Sequence, residues 1–195
     1  MQGCKGRKES IARKVAVNAK IKFHAKVKRA QSLIYKPSLS IVNCQLSIFL
    51  KMLDDKYFMN QALSEAKLAF HKDEVPIGAV VVCNNRIIAR AHNLTETLND
   101  VTAHAEMQAI TAAANMLGSK YLNECTLYVT IEPCPMCAGA LGWAQFQRVV
   151  YGADDKKKGY SHFSTKVLHP KTEVQSGVLA EEAAELMKTF FEKRR

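Results

Sequence analysis

Two short motifs of this chain contain side chains that bind zinc in proteins. The first is His104-Ala105-Glu106, and the second is Pro133-Cys134-Pro135-Met136-Cys137. One imidazole and two thiolates leave the fourth position of a tetrahedral zinc open, and an open position distinguishes a catalytic zinc from a structural one. Water at that position ionises near neutral pH, and the Glu106 carboxylate can move its protons. The motifs therefore predict a hydrolytic zinc site, with the ligands His104, Cys134 and Cys137.

The first motif is expected at the start of a helix. Thr102 is the predicted N-cap, and apolar residues at helical spacing continue the helix to about Gly118. Side chains in the first turn of a helix lean toward its N-terminus. His104 and Glu106 can therefore converge on an object just beyond the helix end.

The cysteine motif is expected at the start of a second helix. Pro133 favours the first position of a helix, and Cys134 and Cys137, three residues apart, then share one face. The positive end of the helix dipole, together with a metal cation, favours thiolates. This helix is apolar almost all round, which predicts burial against a sheet or a partner subunit, with Trp143 in the core. The sequence thus predicts two helix N-termini directed at one zinc ion.

Each motif taken alone has a simpler interpretation. A Cys-x-x-Cys pair can be a redox pair, a His at a helix start can be a surface residue, and Glu106 can be ordinary compensation of a helix dipole. The two motifs, however, occur together, 30 residues apart, with strand-like residues 126–130 between them. Their joint occurrence favours the metal site.

The positive charge of the chain is concentrated in its first 51 residues. The chain has 195 residues and a formal net charge of +10, and residues 1–51 hold nine Lys and three Arg against the single acidic residue Glu9. Residues 52–195 are therefore close to neutral, and they are long enough for one domain with a sizeable core. The basic leader has three interpretations: a targeting segment, a disordered arm that contacts RNA, or an extension upstream of the natural start. We favour the last, because the sequence changes character at Met52.

The six cysteines indicate no disulfide framework. Two belong to the metal motif, and Cys83 and Cys125 lie at ends of apolar strands, where a small buried thiol is common. This cysteine usage favours a reducing, cytoplasmic location. The longest apolar-leaning stretch, residues 38–50, is too short and too interrupted by polar residues to span a bilayer, so no membrane partner is expected.

The periodicity of residues 52–195 predicts an α/β domain with three layers. Helical spacing marks residues 56–71 and a final helix with Ala183, Leu186, Met187 and Phe190 on one face. Apolar runs predict five strands, at residues 77–83, 86–92, 126–131, 148–151 and 173–178. The Asn84-Asn85 turn makes the first two strands a hairpin. Alternation of helices and strands then favours an α/β/α sandwich around a central sheet.

The span from about Met52 to Arg195 resembles the bacterial tRNA-specific adenosine deaminases of the cytidine deaminase-like superfamily. The similarity runs through residues 74–79, Asn93, 102–106, 127–130, 132–140 and 148–153. The resemblance implies the cytidine deaminase-like fold with a mixed sheet. The chain departs from the family after the cysteine helix begins, where members often have a Ser and residues 141–145 read Leu-Gly-Trp-Ala-Gln.

The resemblance also implies an activity and the residues that perform it. The family converts the wobble adenosine of a tRNA anticodon to inosine and works as homodimers, so the expected partners are a tRNA anticodon stem-loop and a second subunit. One Zn²⁺ per subunit would be held by His104, Cys134 and Cys137, and Glu106 would shuttle protons. The nucleoside would be bound by Asn93, Ala105 and Val75.

Two other functions stay open on the sequence alone. Guanine deaminases share the metal motif, including the sequence Pro-Cys-Pro-Met-Cys, and act on a small free base. The tRNA interpretation is favoured because residues 76–79 and the tail from Leu168 to Arg195 look like the tRNA family. A non-catalytic RNA-binding scaffold that keeps zinc for stability is disfavoured, because a scaffold has no use for an open coordination site beside Glu106.

Contacts to RNA phosphates are expected from local basic clusters. A domain near neutral charge has no broad basic field to attract nucleic acid. The candidates are Lys156, Lys157, Lys158, Lys193, Arg194 and Arg195. Unless RNA binds there, the first cluster is an ordinary solvated loop.

Overall fold

The computed structural model describes residues 53–194, so the basic leader and Arg195 lie outside the described residues. The helices are α1 (Asp55–His71), α2 (Ala105–Leu117), α3 (Pro135–Ala144) and α4 (Ala180–Glu192). The strands are β1 (Gly78–Cys83), β2 (Arg86–His92), β3 (Cys125–Ile131), β4 (Arg148–Ala153) and β5 (Glu173–Gln175). Two short 3-10 helices, Tyr160–His162 and Thr165–Val167, follow β4. In this part of the chain no helix is both long and apolar enough to cross a membrane.

The strands form one mixed sheet in the order β2-β1-β3-β4-β5. Strand β1 pairs antiparallel with β2 and β3, whereas β4 pairs in parallel with both β3 and β5. Strands β3 and β4 therefore end at the same edge of the sheet, which we call the carboxyl edge, and β1 begins there. The prediction of a mixed five-stranded sheet is confirmed.

Helices cover both faces of this sheet because alternate strand residues point to opposite sides. On one face α2 and α3 pack against residues such as Val81, Leu127 and Val149. On the other face α1 packs against Val80, Tyr128 and Val150, and α4 contributes Ala183 to a neighbouring cluster. The three-layer α/β/α sandwich is confirmed.

The β1–β2 hairpin forms as the sequence predicts, whereas the last strand is shorter. Asn84 and Asn85 both have positive φ, 49° and 58°, as a two-residue hairpin turn requires. The last strand was expected to reach residue 178, but β5 ends at Gln175. Gly177 has φ +85° and donates its amide to the Gly152 carbonyl, so the chain turns out of the strand conformation there.

The prediction that Trp143 lies in the core is wrong. Its side chain is 84% exposed. Helix α3 instead turns Ala138, Leu141 and Ala144 toward the sheet. Because those three residues already form the packed face, Trp143 is left on the opposite side of the helix.

Candidate active site

The structure brings the three predicted zinc ligands together at the carboxyl edge. His104 Nδ1 lies 3.7 Å from Cys134 Sγ and 3.5 Å from Cys137 Sγ. All three donor atoms lie within 4.8 Å of one another. Zinc bonds of about 2.3 Å to sulfur and about 2.0 Å to nitrogen, at tetrahedral angles, place such atoms roughly 3.5 Å apart. The three side chains therefore fit one zinc ion.

Two helix starts differ from the predicted ones, and both differences shape the site. Helix α2 has His104 as its N-cap, because the hydroxyl and amide of Thr102 both bond to Asp100 Oδ1 at 2.8 Å. Helix α3 has Cys134 as its N-cap, and Pro135, not Pro133, occupies the first turn. Two of the three candidate ligands are thus N-cap residues. Neither side chain caps its own helix, which leaves both free to face outward.

The local electrostatics favour a thiolate at the site. A hydrogen bond from Cys137, with a further contribution from His104, lowers the pKa of the Cys134 thiol to about 4. The same hydrogen bond and burial raise the pKa of Cys137. The hydrogen bond to Cys134 also raises the pKa of the His104 imidazole. A metal cation at this point would favour deprotonation of both thiols and of the imidazole nitrogen that binds it.

Glu106 lies in the first turn of α2, two residues after His104, and is 3% exposed. Burial raises the pKa of its carboxyl to about 7. Its Oε2 atom is buried and has no hydrogen-bond partner within residues 53–194. A buried carboxylate oxygen without a partner is costly for a folded protein. Such an atom is typical of a group kept for chemistry.

Asn93 is held by a second buried carboxylate, that of Glu74. The Asn93 side chain is 3% exposed, and its amide nitrogen donates to Glu74 Oε2 at 3.1 Å and to Thr95 Oγ1 at 2.9 Å. Glu74 itself is fully buried and also accepts from the Glu96 amide at 3.2 Å and the Thr97 amide at 2.7 Å. Glu74 thus fixes both the Asn93 side chain and the loop that leads to His104.

The hydrogen bonds keep Glu74 ionised inside the protein. Burial raises the pKa of its carboxyl, but bonds from Thr97, Glu96 and Thr95 outweigh that effect and lower the pKa below the ordinary value of 4.5. Because the folded-state pKa is lowered, this carboxylate stabilises the fold above pH 4.5, and the stabilisation is lost as the pH falls through the folded-state pKa.

A Glu74→Gln variant is expected to be less stable than the wild type by about 2–3 kcal/mol, because the new amide group would face amide donors. The melting temperature at pH 7 should fall by roughly 5–10 °C. The matched control is Glu96→Gln, a change of the exposed neighbour in the same loop. The difference in melting temperature between Glu74→Gln and the wild type should become smaller below about pH 4. Equal melting temperatures of the two variants at pH 7 would contradict this role.

The other two predicted nucleoside-binding residues lie close to these groups along the chain. Ala105 is fully buried and is the first residue of α2, between His104 and Glu106. Val75 is half-buried, follows Glu74, and accepts a hydrogen bond from the Ile77 amide at 2.7 Å in a tight turn. That turn leads into β1 at the carboxyl edge.

The two basic clusters have different surroundings. Lys156, Lys157 and Lys158 are exposed in the loop after β4. Lys193 lies 4.9 Å from the Phe70 ring, and Arg194 lies 4.5 Å from the Phe190 ring. Arg195 lies outside the described residues. The first cluster is therefore free in solution, whereas the second already stacks on aromatic rings at the end of α4.

Glu74 and Glu132 were not predicted to be functional residues. Each is buried beside the site, and each accepts main-chain amides from a loop that is far away in sequence. Both residues belong to the segments that carry the family resemblance, but their local signal is only an acidic residue next to an apolar strand. Such a signal does not identify the loop that the carboxylate will bind.

Comparison with known proteins agrees with the geometry of the site. The model of the MafB19-like deaminase family matches residues 53–195. A tRNA-specific adenosine deaminase from Bacillus subtilis (strain 168) is 48% identical over 149 residues, which are 74% of this chain and 92% of the relative.

Two solved structures represent the two substrate classes. One, from work on A-to-I editing by tRNA:A34 deaminases at the wobble position of transfer RNA, has a TM-score of 0.63 and 47% identity, and covers 67% of this chain and 98% of its own. A guanine deaminase from Bacillus subtilis has a TM-score of 0.50 and 41% identity, but covers only 52% of this chain and 65% of its own. The chain therefore belongs to the MafB19-like deaminase family and, within it, to the tRNA-specific adenosine deaminases.

Proposed function

We propose that the protein hydrolyses the 6-amino group of the wobble adenosine of a tRNA, with zinc as its cofactor. The observation that carries this proposal is the unpartnered, buried Glu106 Oε2 beside the cluster of His104, Cys134 and Cys137. Relatives of nearly full length that are named tRNA-specific adenosine deaminases support the choice of substrate. The balanced reaction is adenosine plus water to inosine plus ammonia.

The metal-binding residues would be His104, Cys134 and Cys137. When bound, zinc supplies a Lewis acid that makes water a nucleophile near neutral pH. The three side chains would hold the ion at two helix N-termini. Because they supply only three ligands, the arrangement suits catalysis better than structural support.

Glu106 would move the protons. Its carboxyl pKa of about 7 lets the group both accept and donate a proton at neutral pH. Oε2, which has no hydrogen-bond partner among the described residues 53–194, would accept the proton of the attacking water. It would deliver that proton to the ring nitrogen of the purine, and would then carry the proton of the added hydroxyl group to the departing amino group, which leaves as ammonia.

The adenine must leave its base stack to reach these groups. An anticodon loop already presents unpaired bases, which lowers the cost of extrusion. Asn93, held by Glu74, and the first turn of α2 at Ala105 would bind the extruded nucleoside, with Val75 beside them. Fixed polar groups reduce the ordering cost of binding.

The proposal is tested by ammonia release from three substrates at matched concentration. The zinc-loaded full chain is incubated with a tRNA that carries a wobble adenosine, with free guanine and with cytidine. We expect ammonia from the tRNA and from neither small molecule. Rapid deamination of free guanine with none of the tRNA would establish the guanine deaminase function instead.

The clusters Lys156–Lys158 and Lys193–Arg195 are proposed to bind RNA phosphates. Exposure of the first cluster, and its position in the loop that follows β4, support this role. Each phosphate contact adds to the salt dependence of the affinity. Replacing the three lysines of the first cluster with Ala should therefore flatten the slope of log affinity against log salt.

We also propose that two copies of the chain form a homodimer through the exposed side of α3. Met136, Ala140 and Trp143 follow one another there at helical spacing, and Trp143 is 84% exposed. Exposed apolar stripes of this kind mark protein interfaces. A Trp143→Asp variant should shift from dimer to monomer in sedimentation experiments. A variant that stays dimeric would exclude this interface.

The catalytic domain is proposed to be residues 52–195, with residues 1–51 dispensable for the chemistry. The extent of the family match, residues 53–195, supports this boundary. A protein that lacks residues 1–51 should fold and turn over nearly as the full chain does. Aggregation or loss of most activity would show that the leader is functional.

A further inference from the structure

The loop after β4 is built on the buried carboxylate of Glu132, which the proposed chemistry does not use. Glu132 is 4% exposed. Its two oxygens accept the Asp155 amide at 3.1 Å and the Ser161 amide at 3.0 Å. The Tyr160 amide bonds to the Pro133 carbonyl at 3.0 Å. Because Glu132 and Pro133 directly precede Cys134, this loop rests against the metal-binding segment.

The main chain of the loop is held by contacts within the protein. Gly159 lies so close to the Glu132 carboxylate that a Cβ atom at this position would displace it. Asp155 Oδ1 accepts the Lys157 amide at 2.9 Å and the Lys158 amide at 3.0 Å. The main chain is therefore fixed, while the lysine side chains point into solvent. Binding to such a loop requires little ordering of the backbone.

An exposed aromatic ring follows on the same loop. Phe163 is 65% exposed, although its amide is fixed to the Tyr160 carbonyl at 2.9 Å and Tyr160 is buried in the core. Within residues 53–194 the Phe163 ring pairs with no other aromatic ring. Three residues of chain span at most about 10 Å, so the Phe163 backbone lies within that distance of Tyr160, whose amide bonds to the Pro133 carbonyl.

We propose that Phe163 stacks on an unpaired RNA base that flanks the target nucleotide, while the neighbouring lysines bind the phosphates. The inference rests on the proposed tRNA substrate. Exposed lysines flank the ring on both sides, Lys156–Lys158 before it and Lys166 after it. Basic side chains with an exposed aromatic ring are typical of surfaces that bind single-stranded nucleic acid. A protein partner is disfavoured, because lysine is depleted at protein interfaces.

The proposed role of Phe163 can be distinguished from that of the lysines, because the ring is uncharged and the lysines are charged. A phenyl ring has no hydrogen-bonding group, so it stacks on any base and contributes no charge. Its loss should weaken affinity without changing the salt slope, whereas loss of a lysine should change the slope. The tolerance of stacking for base identity also predicts that this position does not select the flanking sequence.

The test compares Phe163→Ala and Phe163→Trp, each in a Glu106→Ala background so that bound RNA is not consumed. The probe is a fluorescent anticodon stem-loop RNA with a wobble adenosine. Phe163→Ala should weaken binding by about 5- to 150-fold, and Phe163→Trp should bind as tightly as the parent. The matched control is Tyr121→Ala, which removes a ring that is 45% exposed beside Lys120. That ring precedes β3 and so lies at the opposite edge of the sheet.

A second arm identifies the stacked base. Two RNAs are compared, one with an abasic site before the adenosine and one with an abasic site after it. Only one of the two should bind the parent protein more weakly than the intact RNA does. The same abasic RNA should show no further loss with Phe163→Ala. Three results would overturn the proposal. The Phe163→Ala variant could bind the RNA as tightly as the parent, it could lose the same affinity on every abasic RNA, or it could change its oligomeric state. If the parent protein binds no stem-loop RNA, the proposed tRNA function has failed. That result is distinct from a failure of the Phe163 proposal, in which the parent binds the RNA.

Discussion

A Cys137→Ala variant is expected to retain less than about a tenth of the zinc of the wild-type protein. Cys137 is fully buried and is one of the three candidate ligands found among residues 53–194, so its removal leaves two of them. Cys134→Ala should have the same effect. Because metal binding and folding are coupled, both variants should also melt at lower temperature than the zinc-loaded wild type.

Metal analysis of the purified proteins checks this prediction. The matched control is Cys83→Ala, which removes a thiol at the other end of β1, away from the carboxyl edge. The control should keep a full complement of zinc, one ion per chain. Full zinc occupancy in Cys134→Ala or in Cys137→Ala would show that the ligand set is wrong.

Glu106→Ala should keep its zinc and its fold but lose deamination by a factor of about 10² to 10⁴, or roughly 3–5 kcal/mol of transition-state stabilisation. A residue that serves two proton transfers can exceed that range. Since Oε2 of Glu106 is buried without a partner, removal of the carboxylate should leave the melting temperature unchanged or raise it. Loss of activity with gain of stability is typical of a group kept for function.

The measurement is kcat and KM on tRNA together with a thermal melt of the same sample. Glu124→Ala, which changes an exposed glutamate at the start of β3, is the control and should be active. Near-normal turnover by Glu106→Ala would exclude the proposed proton transfer. A large fall in melting temperature would instead give Glu106 a structural role.

The architecture was predictable because it depends on local patterns. Apolar runs in β1 and β3 are buried on both faces, and the spacing of apolar residues in α1 matches its packed side. The predicted last strand was longer than β5. The chain leaves the strand conformation by Gly177, and this turn depends on the hydrogen bond from the Gly177 amide to the Gly152 carbonyl. That contact joins parts of the chain that are distant in sequence.

The composition of the site was predictable, but its exact construction was not. The residue types and spacing of both motifs indicate a three-ligand cluster, and the structure brings those residues together. The start of α2 was misplaced because Asp100 competes for the hydroxyl of Thr102. The anchoring roles of Glu74 and Glu132 depend on loops that only the folded chain brings near them. Hydrogen bonds between distant segments leave no periodic signal in a sequence.

Deamination of the wobble adenosine is tested by locating inosine in the RNA product. A tRNA with a wobble adenosine is incubated with the zinc-loaded full chain, digested and examined by mass spectrometry for inosine at each adenosine position. We expect inosine at the wobble position alone, in an amount equal to the ammonia released, and none with Glu106→Ala. The proposed function would be wrong if the zinc-loaded protein left the tRNA unmodified and the same protein rapidly deaminated free guanine.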